Sequence, residues 1–148
     1  MTDLEHQDPQ DSSWGGLAWS KWYQLDSAEA RAIPREAGVY RLHCYGEPAL
    51  IYIGISARLS SRLGGLRRAR RRQDKRGHYA AACVAAHEKK GRTVEVSWAT
   101  VGDMDRRELM GHEVDLIAAH RKLFGSPACQ FHGQMEPSDD GQRQSTAN

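Results

Sequence analysis

The chain has 148 residues, of which 39% are hydrophobic and 27% charged, and its formal net charge is +2. This length favours one globular domain with loose ends. No apolar run approaches the roughly 20 residues that a transmembrane helix needs, so the composition argues against a membrane-spanning segment.

The cysteine pattern indicates a reducing compartment. Cys44, Cys83 and Cys129 make an odd number and contain no Cys-x-x-Cys pair, which argues against a disulfide framework. The N-terminus is acidic and polar, and it lacks the basic and apolar regions of a signal peptide. We therefore predict a cytoplasmic protein.

The two ends of the chain differ in composition from its centre. Residues 1–13 are polar and acidic, and residues 134–148 are rich in Gln, Ser, Asp and Gly, so we predict that both are disordered. We predict that residues 1–35 form an N-terminal extension to the domain, and that it contains an aromatic stretch at residues 14–23. We expect this stretch to pack on the domain as a short helix or a cover. Its aromatic residues are Trp14, Trp19, Trp22 and Tyr23.

Two strands joined by a loop come next and predict a hairpin. Residues 39–44 alternate between apolar and polar side chains, and residues 50–55 form an apolar run rich in β-branched residues. The connecting residues 45–49 contain both Gly and Pro, which favour a turn. Because side chains alternate between the two faces of a strand, Tyr40 and Tyr52 can share one face of this hairpin.

From residue 56 the apolar spacing becomes helical and the chain becomes strongly basic. Leu59, Leu63 and Leu66 mark the buried face of a helix, and Arg62 lies at the edge of that face. The other basic residues could form a solvated helix face, but arginine predominates and its planar group suits phosphate, so we predict that they dock nucleic acid. This basic block consists of Arg58, Arg67, Arg68, Arg70, Arg71, Arg72, Lys75 and Arg76.

The remaining elements are a helix, a strand and a longer helix. The alanine-rich residues 78–90 favour the first helix, and the alternating residues 93–101 favour the strand. Asp105 and Glu108 have the spacing of a capping box at the start of the last helix, and Gly125 is a natural residue after its end.

Glu113 is predicted to lie on the inward face of the last helix. A carboxylate among apolar side chains costs free energy unless a partner compensates its charge. Spacing alone leaves open whether that partner is an arginine or a metal ion. The apolar residues of this face are predicted to be Leu109, Leu116, Ile117, Leu123 and Phe124.

Four elements in this order resemble the GIY-YIG nuclease superfamily: Gly38-Val39-Tyr40, Tyr52-Ile53-Gly54, Arg62 and Glu113. The first tripeptide has Val where the family usually has Ile. The resemblance covers residues 36–133 and implies an α+β domain, with a small three-stranded antiparallel sheet flanked by helices. The pattern of apolar residues independently predicts the same order of elements, β-β-α-α-β-α.

The family cleaves phosphodiester bonds in DNA with one divalent metal ion. The resemblance therefore implies an endonuclease that uses Mg²⁺ or Mn²⁺, with DNA as its partner. Tyr40 would be the general base, and Tyr52 would orient the nucleophile or the substrate. Arg62 would hold the scissile phosphate, and Glu113 would be the metal ligand.

Two further residues are assigned to the catalytic site. The family commonly has an asparagine in a Pro-x-x-Asn-like segment after the last helix, and this chain has Gln130 there. Glutamine keeps the amide and adds one methylene, so it could reach the same hydrogen bonds. His78 could act as a general acid, relay a proton or contact phosphate, and the alternative is a helix-capping or surface histidine.

A zinc site is an alternative role for four other residues. Cys83 and His87 are four residues apart on a predicted helix, and Cys129 and His132 form a Cys-x-x-His pair. Two such pairs can make a tetrahedral site, although cysteine is often simply buried. The spacing does not show whether the two pairs meet.

These features together predict a metal-dependent DNA endonuclease. The alternative is a non-catalytic nucleic-acid-binding module on the same scaffold, which the departure at Gln130 favours; a more distant alternative is a basic adaptor for an acidic protein. Sequence-specific cleavage favours a homodimer, because one small domain most easily cuts one strand. The aromatic stretch is a candidate interface, and packing within the chain is its alternative.

Overall fold

A computed structural model describes residues 4–72 and 78–130. The domain is of the mixed α+β class, with an antiparallel sheet flanked by helices. The predictions for Lys75, Arg76, His132 and the C-terminal tail lie outside the described residues. The strands are β1 (Tyr23–Gln24), β2 (Gly38–Cys44), β3 (Leu50–Ser56) and β4 (Val94–Thr100), and the helices are α1 (Ala28–Arg31), α2 (Leu59–Arg72), α3 (Ala81–Lys89) and α4 (Arg106–Phe124).

The sheet has four strands in the order β1-β4-β2-β3, not the three that were expected. The additional strand comes from the end of the aromatic stretch, where Tyr23 pairs with Val96 and Gln24 with Glu95. It satisfies backbone groups along the edge of β4 that would otherwise be open to solvent or to another chain. From β2 to α4 the elements follow the predicted order β-β-α-α-β-α.

The hairpin register brings the two tyrosines to one face of the sheet. Tyr40 lies opposite Gly54 on β3 and opposite Trp98 on β4. Tyr52 lies opposite Leu42, two residues after Tyr40 on β2. Residues two apart on a strand and residues paired across strands point to the same face, so the prediction for the two phenols is confirmed.

Two apolar clusters fill the two faces of the sheet. One contains Tyr40 and Tyr52 from one face of the sheet, together with Leu59 and Leu63 of α2 and Val84 of α3. The other contains Val39 and Ile53 from the opposite face, together with α4 and the first tryptophans. The sheet is therefore covered by α2 and α3 on one side and by α4 on the other.

The aromatic stretch packs within the chain. Trp19 is only 7% exposed, and the guanidinium of Arg41 lies 4.1 Å from the centroid of the Trp19 ring and 4.7 Å from that of Trp22. The same guanidinium donates a hydrogen bond to the carbonyl of Pro9. Burial lowers the pKa of Arg41 to about 9. Because these aromatic rings are engaged on β2, they do not form an open interface.

Helix α4 confirms the predicted start and corrects the predicted inner face. Asp105 caps the helix and forms a capping box with Glu108. Leu123 and Phe124 are each 42% exposed, so their placement inside was wrong. His120 takes the inner position instead, because its Nε2 accepts a hydrogen bond from the backbone N–H of Leu50 at 2.9 Å.

Cys83 and Cys129 form a disulfide, contrary to the expectation from the cysteine count. Residues 126–130, the closing segment, turn back along β3, where the N–H of Cys129 donates to the carbonyl of Ile51 at 2.7 Å. This brings Cys129 next to α3, at a sequence separation of 46 residues from Cys83. Cys44 is a buried free thiol.

Among the helices in residues 4–72 and 78–130, none is both long enough and apolar enough to cross a membrane.

Candidate active site

Two buried phenols and a buried imidazole meet on the sheet face that α2 and α3 cover. The ring centroids of Tyr40 and Tyr52 are 5.9 Å apart, and those of Tyr52 and His78 are 5.2 Å apart. Tyr40 is fully buried and Tyr52 is 5% exposed. The Tyr40 hydroxyl lies 2.5 Å from Nε2 of His78.

The hydrogen bonds of His78 fix its tautomer. The backbone N–H of Ala80 donates to Nδ1 of His78 at 3.0 Å, so Nε2 carries the proton of the neutral ring. That proton is donated to the phenolic oxygen of Tyr40. Burial, with the charge of Arg62 as a second cause, lowers the pKa of His78 to about 3. His78 is therefore a neutral hydrogen-bond donor to Tyr40 at physiological pH.

Arg62 of α2 binds both phenols. Burial alone would lower its pKa, but the interactions with Tyr40 and Tyr52, including a hydrogen bond to each, outweigh this effect and raise the pKa. Burial raises the pKa of both tyrosines, for Tyr40 well above its ordinary value, while Arg62 opposes the shift. The guanidinium thus stays charged beside two hydroxyl groups.

Glu113 brings a half-buried carboxylate close to this cluster from α4. Burial raises its pKa, and the positive charges of Arg106 and Arg62 oppose the rise. Its charge also acts on Tyr52. Arg106 was not among the residues predicted for this site. Its position seven residues before Glu113, two helical turns along the same face, is the signal that would have found it.

The last residue of the second tripeptide makes room for the Tyr40 ring. A Cβ atom at Gly54 would lie 2.6 Å from both Cζ and the hydroxyl oxygen of Tyr40. Any larger residue at this position would clash with the Tyr40 ring that lies across it, so the packing requires glycine.

Replacing Gly54 with Ala is expected to lower the free energy of unfolding by about 1–3 kcal/mol, because the added methyl group must displace the Tyr40 ring. Urea denaturation measures the change. Gly111→Ala is the matched control, since its Cβ would meet nothing within 4 Å and alanine favours a helix. Equal stability of the wild type and the Gly54→Ala variant would contradict the packing described.

Gln130 fastens the closing segment to β3. Its carboxamide oxygen accepts a hydrogen bond from the N–H of Ile53, and its carboxamide nitrogen donates to the carbonyl of Ile53, both at 2.9 Å. The amide therefore holds the edge strand between Tyr52 and Gly54. In this structure Gln130 is a positioning residue for the strand that carries Tyr52.

Two arginines of the basic block are not available to a ligand. Arg67 is 7% exposed and donates to the carbonyl of Leu25. Arg70 is 8% exposed and forms ion pairs with Asp26 and Glu88. Burial and pairing within the chain exclude these two from a docking surface. The described members of the block that are exposed are Arg58, Arg68, Arg71 and Arg72.

No family model and no curated protein matches the chain. Solved structures similar to it include point mutants of the GIY-YIG N-terminal endonuclease domain of UvrC from Thermotoga maritima, bound to the catalytic divalent cation. Three such structures are each 24% identical, with coverage of 70% of this chain and 92% of that domain. Their TM-scores are 0.47, 0.44 and 0.43.

The two tripeptides lie on paired strands, Arg62 on the helix that follows them and Glu113 on the last helix. These are the positions that the resemblance implies. The order of elements from β2 to α4 is likewise the one that the resemblance implies. Relative to the expected GIY-YIG arrangement, this chain adds α1, the aromatic stretch and a fourth strand, β1, at the edge of the sheet beside β4.

Proposed function

We propose that this chain is a metal-dependent endonuclease that hydrolyses phosphodiester bonds in DNA. The observation that carries this proposal is the meeting of Tyr40, Tyr52, His78 and Arg62 in one cluster, with the carboxylate of Glu113 close by. A phosphodiester is anionic and gains negative charge during attack. A fixed guanidinium beside hydroxyl groups suits that charge.

Tyr40 would accept the proton of the attacking water. A phenol with an ordinary pKa of about 10 is a weak base at neutral pH, and burial makes ionisation harder still. The Nε2–H of His78 and the guanidinium of Arg62 both donate to the Tyr40 oxygen and so stabilise the phenolate. Tyr52, in contact with the same guanidinium, would orient the water or the phosphate.

Glu113 would hold the divalent cation. The donor set fits Mg²⁺ or Mn²⁺, because such a cation can keep several waters and take phosphate oxygens while binding one protein carboxylate. The carboxylate is partly withdrawn from water, and this burial raises its pKa although the charges of Arg106 and Arg62 oppose the rise. When bound, the cation would neutralise charge on the scissile phosphate.

The exposed arginines of the basic block would dock the DNA backbone. Arg58, Arg68, Arg71 and Arg72 lie at either end of the helix that carries Arg62, or along it. Contacts of this kind release counterions, so affinity falls steeply with salt and carries no sequence information. Arg62 would thus serve the scissile phosphate, while the basic block divides into two arginines that stabilise the fold, Arg67 and Arg70, and a docking surface.

The proposal is tested by comparing two arginines of α2 in the nicking of supercoiled plasmid with Mg²⁺ or Mn²⁺. Arg62→Ala is expected to lower the single-turnover rate by at least about 100-fold, because it removes charge at the reacting phosphate. Arg68→Ala, the matched control, is expected to weaken binding and to reduce the salt dependence of affinity by about one phosphate contact, with the single-turnover rate retained.

Equal nicking by wild type and Arg62→Ala would contradict the enzyme and assign the activity to a contaminant. DNA binding by the wild type without any cleavage in either metal would favour the alternative, a nucleic-acid-binding module that has lost turnover.

A further inference from the structure

Three potential metal ligands meet at a place that the proposed active site does not use. Cys83 and His87 lie one turn apart on α3, and Cys129 lies in the closing segment. The two sulfurs and a ring nitrogen of His87 all lie within 4.8 Å of one another. Among the residues that the structure describes, this is the one group of three or more metal-ligating side chains with that spacing.

We propose that these three residues bind a zinc ion when the Cys83–Cys129 disulfide is reduced. Two thiolates and an imidazole are ligands that Zn²⁺ prefers, with bonds of about 2.0–2.3 Å. In a tetrahedral site such bonds place ligand atoms roughly 3.3–3.8 Å apart. The observed ligand atoms, all within 4.8 Å of one another, lie close to this spacing, and reduction of the disulfide would free the two sulfurs to separate.

The surroundings of His87 allow this exchange. Its Nδ1 accepts a hydrogen bond from the guanidinium of Arg92 at 2.7 Å, so a metal ion at that atom must displace Arg92. Arg92 has a second partner in Glu47, at 3.6 Å, and can keep that ion pair. Both arginine contacts are at the surface, where such pairs contribute little.

Water would take the fourth position of the tetrahedron.

The location gives the site a structural role. The closing segment carries Gln130, which bridges Ile53 on β3, and α3 follows directly after His78 and Ala80. A zinc ion would keep α3 joined to this segment in a reducing environment, where a disulfide does not persist. Disulfide and zinc site are then alternative links between the same two elements.

Cobalt titration of the full chain tests the site, since Co²⁺ replaces Zn²⁺ and reports its ligands. Reduced wild type is expected to bind about one equivalent, with a thiolate-to-cobalt charge-transfer band and the d–d bands of a tetrahedral ion, and Zn²⁺ should abolish both. The same protein with the disulfide intact should show neither. Cys44→Ser and Glu113→Ala are controls that should keep the spectrum, because neither residue belongs to the cluster.

The cysteine double variant C83S/C129S should lose the charge-transfer band. Because this change could unfold the protein, His87→Ala serves as a second variant that keeps both thiols. It is expected to weaken cobalt binding by about tenfold or more, and Arg92→Ala to strengthen it. No tetrahedral spectrum in the reduced wild type would overturn the proposal, as would an unchanged affinity in His87→Ala.

Discussion

Replacing Tyr40 with Phe is expected to lower the single-turnover rate of DNA cleavage by about 10²–10⁴-fold, the range of a general base. The ring stays in its place under α2 and against Gly54, and only the hydroxyl that binds His78 and Arg62 is lost. Binding of DNA should be nearly unchanged, since the docking arginines are untouched. Single-turnover cleavage and fluorescence anisotropy measure the two quantities separately.

The pH profile gives this prediction a second readout. Burial raises the pKa of Tyr40 well above its ordinary value, so between pH 6 and 9 the phenolate is the minor form. Its fraction, and with it the rate, should rise about tenfold per pH unit. His78, with a pKa of about 3, stays neutral over this range and adds no second limb. The residual activity of Tyr40→Phe should lose this dependence.

Tyr45→Phe is the matched control. Tyr45 is 73% exposed in the hairpin loop, so the same chemical change there should leave the rate and the pH profile as in wild type. A flat wild-type profile, or similar rates for the two variants, would show that Tyr40 is not the base.

Local pattern predicted the parts of the fold that depend on one element or on neighbouring ones. The period of two along β2 and β3 placed both tyrosines on one face. The position of Arg62 beside Leu63 placed it at the edge of the buried helix face, and the structure directs it to the phenols. The capping box at Asp105 marked the start of α4, because its hydrogen bonds close within three residues.

Contacts between distant parts of the chain could not be read in the same way. Helical spacing shows which face of α2 a residue takes, but not that Asp26 lies opposite Arg70. The strand β1 has only two residues, too few for any alternation to appear. The approach of Cys129 to Cys83 depends on a backbone hydrogen bond between the closing segment and β3. Almost any residue type can form such a bond, so the sequence does not reveal it.

Replacing Glu113 with Gln is expected to lower the rate of cleavage by at least about 100-fold in Mg²⁺ or Mn²⁺. The amide keeps the shape and one oxygen of the carboxylate, but it lacks the charge that holds a hard divalent cation. Asp115→Asn is the matched control, because Asp115 is exposed on the same helix two residues away. Its rate should equal that of the wild type.

Although Glu113→Gln is expected to lower the cleavage rate, it should not lower the stability of the protein in the absence of metal. Burial raises the pKa of Glu113 in the folded state, with Arg106 and Arg62 opposing the shift. A raised pKa means that folding favours the protonated form, so this contribution to stability is present at low pH and is lost as pH rises through the folded-state pKa. At pH 7 and without metal, Glu113→Gln should therefore unfold at a temperature no lower than the wild type.

Addition of a divalent cation should make the wild type more stable than Glu113→Gln. A ligand that binds only the folded state stabilises it, so Mg²⁺ or Mn²⁺ should raise the unfolding temperature of the wild type and of Asp115→Asn but not of Glu113→Gln. Thermal unfolding with and without the cation measures both effects. If Glu113 served only as an ion-pair partner of Arg62 and Arg106, its replacement would destabilise the protein and the cation would make no difference. A carboxylate that destabilises the protein without the cation and stabilises it when the cation is bound behaves as a metal ligand.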